Sequence, residues 1–413
     1  MGRAATGALL LALAMGLLAL HLSRPRSATA RGSQVAALHS PASGEIPEVR
    51  VLLGAAPRGQ WTIRVEGPYR VVAPGDWRVL AQGEELPATE VAALDAGLRI
   101  GEREFALDEL IVEPIEPETL WVDRTRYAGR LQLVREDRQV AAINRVGLED
   151  YLASVTTGEM PPDFPVAARR AQIVAARTYV LFHMRTFGAG HDYDVVDSPQ
   201  SQNYLGLEYV DDAGQHRAAT TAESRALAAE TRGIVLLYQG RLFCAYYGAA
   251  CGGHTGSAAS VFRSSVPPLV GVPCEYCAGA PNHRWQRRVD MAAVNTVLRP
   301  YCLNRGLDAI DCAQLTVADA GRGRLPLVTL GEGDTSIEMS TPQFRTLIAE
   351  HCSLPSAFFS AEIDGDSLVI EGRGWGHTVG MCQCGAKAQA EGGRDWREIL
   401  DYYYPTTTLG WVQ

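Results

Sequence analysis

At 413 residues the chain is long enough for two or three domains, and 46% hydrophobic with 21% charged residues is an ordinary globular composition. The formal net charge is -9, and Arg3, Arg24 and Arg26 stand without an acid in the first thirty residues, so the remainder is more negative still. A body that acidic has no electrostatic reason to hold nucleic acid or an anionic lipid surface, which argues against both as partners.

In chain order, Arg3 is followed by the apolar run Ala4 to Leu20 and by Ala28-Thr29-Ala30, a small-x-small cleavage pattern. Residues 1–30 are therefore expected to be a signal peptide or a membrane anchor. Either exports the rest to the periplasm, the cell surface or the outer face of the cytoplasmic membrane, with membrane contact only through this segment. Residues 31–47, small and polar with Pro41 and Pro47, form a linker. Residues 48–124 alternate short β-prone runs (Val49–Leu53, Trp61–Val65, Tyr69–Val72, Leu110–Val112) with Gly, Pro and Asp breaks, which predicts a β-rich N-terminal domain. A hairpin is expected from Arg130–Val134 and Val140–Val146, turned at Glu136-Asp137-Arg138.

The texture changes at Leu148. Pro165 to Phe187 lacks Gly and internal Pro and carries Ala167, Ala168, Ala171, Ala175 and Ala176, which predicts a closely packed, buried helix. A second helix, Thr221–Thr231, stops at Gly233 and leads to an expected hairpin of Ile234–Tyr238 with Leu242–Tyr247. Near the end a strand, Ser367–Glu371, enters the glycine-rich GRGWGHTVG. The fold class is α+β: a β-rich N-terminal region, then a mixed α/β domain built around the alanine-rich helix.

One carboxyl group stands out locally. Glu159 lies between Gly158 and Met160-Pro161-Pro162, with Phe164 close behind. Apolar neighbours penalise the charged form, as a general acid near neutral pH requires, and the prolines stiffen the backbone that aims it. The plainer reading is a surface Glu preceding a helix.

The nine cysteines meet an oxidising compartment and are odd in number. Cys251-x2-His254, then nineteen residues, then Cys274-x2-Cys277 has the spacing of a closed, structural Cys3His zinc site, with His283 as an alternative to His254. Oxidative pairing of all but one cysteine is the rival reading, and Cys302 with Cys312 suits a local disulfide.

A set of ordered motifs carries a resemblance. Leu148-Glu149-Asp150-Tyr151-Leu152, Gly158-Glu159-Met160-Pro161, Ala171-Gln172, Ala176-Arg177-Thr178-Tyr179, Gln202-x-Tyr204-x-Gly206 and Thr231-x-Gly233 follow one another. Cys251-Gly252-Gly253-x-Thr255, GRGWGH at Gly372–His377, Gln383-x-Gly385-Ala386 and Tyr402-Tyr403-Tyr404-Pro405 complete the series. Residues 125–413 thus resemble the stage II sporulation protein D (SpoIID), or amidase-enhancer (LytB), family.

The resemblance implies a peptidoglycan lytic transglycosylase, a glycan-strand lyase of cell-wall remodelling and sporulation. It would cleave glycan strands stripped of stem peptides and leave 1,6-anhydro-muramyl ends. Glu159 aligns with the catalytic glutamate, and no cofactor is required for the chemistry. The other motif residues (Gln172, Arg177, Tyr179, Gln202, Tyr204, Trp375, His377 and Gln383) are implied to bind sugar or orient Glu159. For Arg177 a buried ion pair is an equal alternative. The family's other name implies a non-catalytic wall binder that stimulates a cell-wall amidase. A hydrolase would instead need a second carboxylate from Asp163, Asp192, Asp194 or Asp197, each also suited to a cap or a turn.

Two departures from the pattern stand out. Thr378 occupies a position where the family usually has glycine, and Cys382-Gln383-Cys384 replaces Ser-Gln-Tyr. Some members bind zinc through a His and two Cys in the stretch that reads HDYDVVDSPQSQNY here. His191 is present without the cysteines, so that site is expected to be lost.

Overall fold

The computed structural model describes residues 47–305, 314–318, 321, 323–333 and 336–412. The leader, nearly all of the linker and Cys312 lie outside the described residues. The α+β class holds: strands dominate the N-terminal half, and helices and strands mix after it. The described chain divides into two compact units, one running to Ala245 and taking back the C-terminal segment from Thr408, the other spanning Tyr246–Thr407.

Among the described residues of the first unit, seven strands form one sheet, ordered Val195–Val196, Glu48–Leu52, Gln139–Gly147, Arg130–Glu136, Glu109–Pro114, Tyr69–Val72 and Val79–Gly83. A second sheet of eight strands has Thr125–Ala128, Thr119–Val122, Gln60–Val65 and Leu86–Ala93 at its centre. The expected hairpin is present, Leu133 opposite Ala142 and Glu136 opposite Gln139, with Asp137 taking the positive φ that closes the turn. The expected boundary after residue 124 falls inside these sheets. Glu48–Leu52 pairs with Gln139–Gly147, and Thr119–Val122 pairs with Thr125–Ala128, so no break in packing occurs there.

Three helices complete this unit. Helix α1, Leu148–Glu159, opens with Glu149 and Asp150 at its positive end and stops before Pro161. Helix α2, Val166–Thr186, is buried over most of its length, with Ala168, Ala171, Ala175 and Ala176 in the core. Alanines at those positions let neighbouring elements approach closely, as expected. Helix α3, Ala222–Glu230, starts on a reciprocal cap between Thr221 and Ser224. The strand after it, Ile234–Leu237, corrects the hairpin expectation. It pairs with Thr408–Trp411 instead of Leu242–Tyr247, and only Tyr238 and Arg241 bridge across the turn.

The second unit has two three-stranded sheets, Arg284–Asp290 with Ser367–Arg373 and Phe359–Asp364, and Leu315–Ala318 with Leu327–Leu330 and Ile337–Ser340. Its helices are α4 (Ala258–Phe262), α5 (Met291–Leu303), α6 (Thr341–Leu347), α7 (Gln383–Glu391) and α8 (Trp396–Tyr403). Val294 and Leu298 of α5, Phe344 of α6, and Val328, Leu330, Leu368 and Ile370 of the sheets form one core.

Candidate functional site

Glu159 is the last residue of α1 and is half-buried. Its Oε1 accepts the backbone N–H of Asn203 at 2.7 Å, and the Asn203 side chain donates to the Gly158 carbonyl, also at 2.7 Å. Gly158 makes this approach possible, because a Cβ there would lie 2.2 Å from the Asn203 carbonyl oxygen. Two linked hydrogen bonds therefore hold the end of the helix against the 203 segment and aim the carboxyl. Of the apolar neighbours expected to shield it, Met160 is fully buried, but Pro161 and Pro162 are exposed. The 203 segment covers one side of it instead. Tyr151 and Tyr179, both buried, are near enough that the Glu159 charge helps to raise their phenol pKa values, burial being the larger cause.

Most of the expected sugar-binding residues are interior. Gln202 is completely buried, accepting from the Tyr151 hydroxyl at 2.8 Å and donating to the Ala176 carbonyl at 3.3 Å. Tyr204 is buried and donates to Asn144 Oδ1 at 2.7 Å, its ring 5.1 Å from that of Tyr151. Gln172, Tyr179 and Gln383 are buried as well. These five side chains therefore offer little surface to a sugar in this structure. Tyr179 stacks on His183 with ring centroids 4.3 Å apart, and the His183 Nε2 lies 3.6 Å from Cys244 Sγ. Burial lowers the His183 pKa to about 4, so the imidazole is neutral at neutral pH.

Arg177 resolves in favour of the ion pair. It is fully buried, and its Nη2 and Nε donate to the two Glu149 carboxylate oxygens at 2.7 and 3.3 Å. Its guanidinium also donates to the carbonyls of Ile234 at 3.2 Å and Ala228 at 3.3 Å. Glu149 stands in the first turn of α1 and Glu159 in the last. Ten residues of helix separate them by about 15 Å, so Arg177 does not orient Glu159. A cavity of about 610 Å³ beside this pair is lined by Glu118, Glu149, Asp150, Arg225 and Arg232, and not by Glu159.

Two of the four aspartates considered as second carboxylates are engaged elsewhere. Asp194 pairs with Arg50 at 2.7 Å, and Asp197 accepts the Gly54 N–H at 2.8 Å. Asp163 and Asp192 are exposed. His191 is exposed too, its carbonyl accepting from Arg50.

In the second unit, Trp375 is 42% exposed, its backbone N–H bound to the Ala250 carbonyl at 2.8 Å. His377 is instead caged by Tyr246 and Phe262, at ring distances of 5.7 and 5.2 Å. Its Nδ1 accepts the Val379 N–H at 3.0 Å, and burial lowers its pKa to about 4 against the opposing effect of a hydrogen bond with the Tyr247 backbone. Trp375 is thus exposed, whereas His377 is half-buried and bonded within the loop. Thr378 has φ +62 and is buried, a left-handed position that explains why glycine suits it.

Three of the four residues expected as zinc ligands come together, with Cys382 where His254 was expected. The thiols of Cys251, Cys274, Cys277 and Cys382 are all buried, and all lie within 4.8 Å of one another. His254 is not in the group; its Nδ1 lies 2.7 Å from the Thr255 carbonyl oxygen. No disulfide joins any of the described cysteines, Cys302 included. Sequence reasoning missed Cys382, which lies more than a hundred residues beyond Cys277. It also missed Asn203, which acts through its backbone and its amide and so carries no residue-type signal.

Comparison with known proteins finds similarity over much of the chain. The model for the stage II sporulation protein family matches residues 136–238, the span that holds Glu159, Asn203 and the Arg177–Glu149 pair. An uncharacterized protein of Brachyspira hyodysenteriae is 28% identical over 348 residues, covering 84% of this chain and 89% of that one. The amidase enhancer of Bacillus subtilis is 27% identical over 62% of this chain, but the match covers only 40% of that longer protein. Stage II sporulation protein D of Bacillus amyloliquefaciens is 27% identical over 64% of this chain and 74% of its own length. Residues 136–238 thus match the stage II sporulation protein family, and the similarity to relatives named stage II sporulation protein D and amidase enhancer supports the SpoIID/LytB family over a wider span.

Proposed function

We propose that this protein is an exported cell-wall enzyme that cleaves stem-peptide-free peptidoglycan strands as a lytic transglycosylase. The observation that carries the reading is Glu159, half-buried, with one carboxyl oxygen fixed by the Asn203 N–H and the helix end held by the Asn203 amide. A single aimed carboxyl is what this reaction needs. Its proton passes to the glycosidic oxygen as the C1–O bond breaks. The carboxylate then takes the proton from the 6-hydroxyl of the muramic acid as O6 bonds to C1. The acid is restored, the product is a 1,6-anhydro sugar, and no water is consumed. The engagement of Asp194 and Asp197 with Arg50 and Gly54 supports a one-carboxyl route over a two-carboxyl hydrolysis.

The relative named amidase enhancer supports a second reading, a wall-bound protein that stimulates a separate amidase. Glu159→Gln separates the two. The amide keeps an oxygen for the Asn203 N–H while removing the exchangeable acid proton. A transglycosylase loses roughly 10²–10⁴ in turnover on denuded glycan. A purely stimulating protein keeps both wall binding and its effect on an amidase.

A further inference from the structure

We infer that Cys251, Cys274, Cys277 and Cys382 form a tetrathiolate zinc site that fastens the glycine-rich loop carrying Trp375. A zinc ion bound by four sulfurs at ~2.3 Å sets those sulfurs ~3.8 Å apart. Here the Cys251 and Cys277 sulfurs are 3.6 Å apart, and no pair in the group exceeds 4.8 Å. The four side chains converge from three places: the turn after Ala250, the tight turn Cys274–Cys277, and the start of α7, which Cys382 caps.

The surroundings are built for thiolates. Backbone N–H groups of Cys251 and Gly385 each point at Cys382 Sγ at 3.4 Å. The Tyr403 hydroxyl lies 3.2 Å from Cys274 Sγ, and His283 Nδ1 lies 3.5 Å from Cys277 Sγ. Such outer donors orient metal-bound sulfur and spread its charge, whereas a pair of disulfides has little use for them. Gly385 keeps the space open, because a Cβ there would stand 2.7 Å from Cys274 Sγ. Cys384, only two residues from Cys382, lies outside the group, so the convergence is not a general crowding of cysteine. Four buried thiolates need a dication among them, and an all-sulfur tetrahedral set suits zinc with no open position for substrate.

The loop hangs from this knot. The Trp375 N–H binds the carbonyl of Ala250, the residue before Cys251. The Arg373 guanidinium donates to the Cys251 carbonyl at 2.8 Å and the His254 carbonyl at 2.7 Å. The inference is independent of the chemistry assigned to Glu159.

The test uses the full chain purified without added metal. Elemental analysis is expected to give one zinc per chain, retained in Cys384→Ser and His254→Ala and lost in Cys382→Ser. Cobalt exchanged into the wild-type protein is expected to show the strong visible bands of a tetrahedral ion with thiolate-to-cobalt charge transfer. This arm does not depend on any variant folding. Chelation should speed hydrogen exchange at residues 372–382 and leave the hairpin at 130–147 unchanged. The inference is overturned by a metal-free chain four hydrogens lighter than its reduced form, which would mean two disulfides. Bound iron, zinc that persists in Cys382→Ser, zinc lost in His254→Ala, or exchange at the loop that ignores chelation would each overturn it as well.

Discussion

Replacing Arg177 with alanine separates a structural from a substrate-binding role for the most conspicuous buried charge in the first unit. The guanidinium makes two hydrogen bonds to Glu149 and two to the carbonyls of Ala228 and Ile234. Its removal leaves a carboxylate and two carbonyls without this donor in a site where Arg177 itself has no exposure and Glu149 only 16%. Breaking a buried pair from one side costs ~3–5 kcal/mol, and the partial access of water to Glu149 argues for the lower end. At ~2–4 °C per kcal/mol for a unit of this size, about 3 kcal/mol lowers the melting midpoint by ~6–12 °C. Lysine should recover little of this, because one ammonium cannot reproduce the fork that reaches Glu149 and two carbonyls together. Calorimetry gives the midpoint, and turnover on denuded glycan is measured well below it. Midpoint loss with activity per folded molecule retained is the expected result. An unchanged midpoint with lost activity would refute the reasoning and put the guanidinium on the substrate.

Other outcomes follow from single residues. Thr378 has a left-handed backbone and a buried hydroxyl with no hydrogen-bond partner, so Thr378→Gly should stabilise the second unit by about 1 kcal/mol despite the added chain entropy. Urea titration checks this, and a loss of stability would contradict it. Stability should also fall on acidification. His183 binds its proton with a pKa of about 4 in the fold, against ~6.5 unfolded. Between those values the unfolded chain holds more protons, so this contribution is complete above ~6.5 and is lost as pH falls toward 4. His183→Phe keeps an aromatic ring on Tyr179 and should flatten that part of the melting-point profile. An unaltered slope would rule His183 out as its source.

How much of this was legible in the sequence depended on the reach of each interaction. The 130–147 hairpin and α2 follow from local alternation, turn residues and helix formers, and both were readable. The strand Ile234–Leu237 was also readable, but its partner Thr408–Trp411 lies some 170 residues away, so a nearby turn was the more natural guess. The same limit hid Cys382, because paired cysteines at short spacing point to each other and not to a distant fourth. Motif matching located Glu159, Gln202 and Tyr204 without saying which of them face solvent. In the fold, the hydrogen bonds to Tyr151, Ala176 and Asn144 turn Gln202 and Tyr204 inward. Gln202 and Tyr204 are interior, while Glu159 stays half-buried at the end of its helix.

The most direct test of the central claim is cleavage of denuded glycan in water enriched in oxygen-18, with the new ends read by mass spectrometry. Closure of O6 onto C1 under Glu159 predicts anhydro ends that carry no heavy oxygen, and none formed by Glu159→Gln. Reducing ends labelled with oxygen-18, or anhydro ends produced equally well by Glu159→Gln, would contradict it.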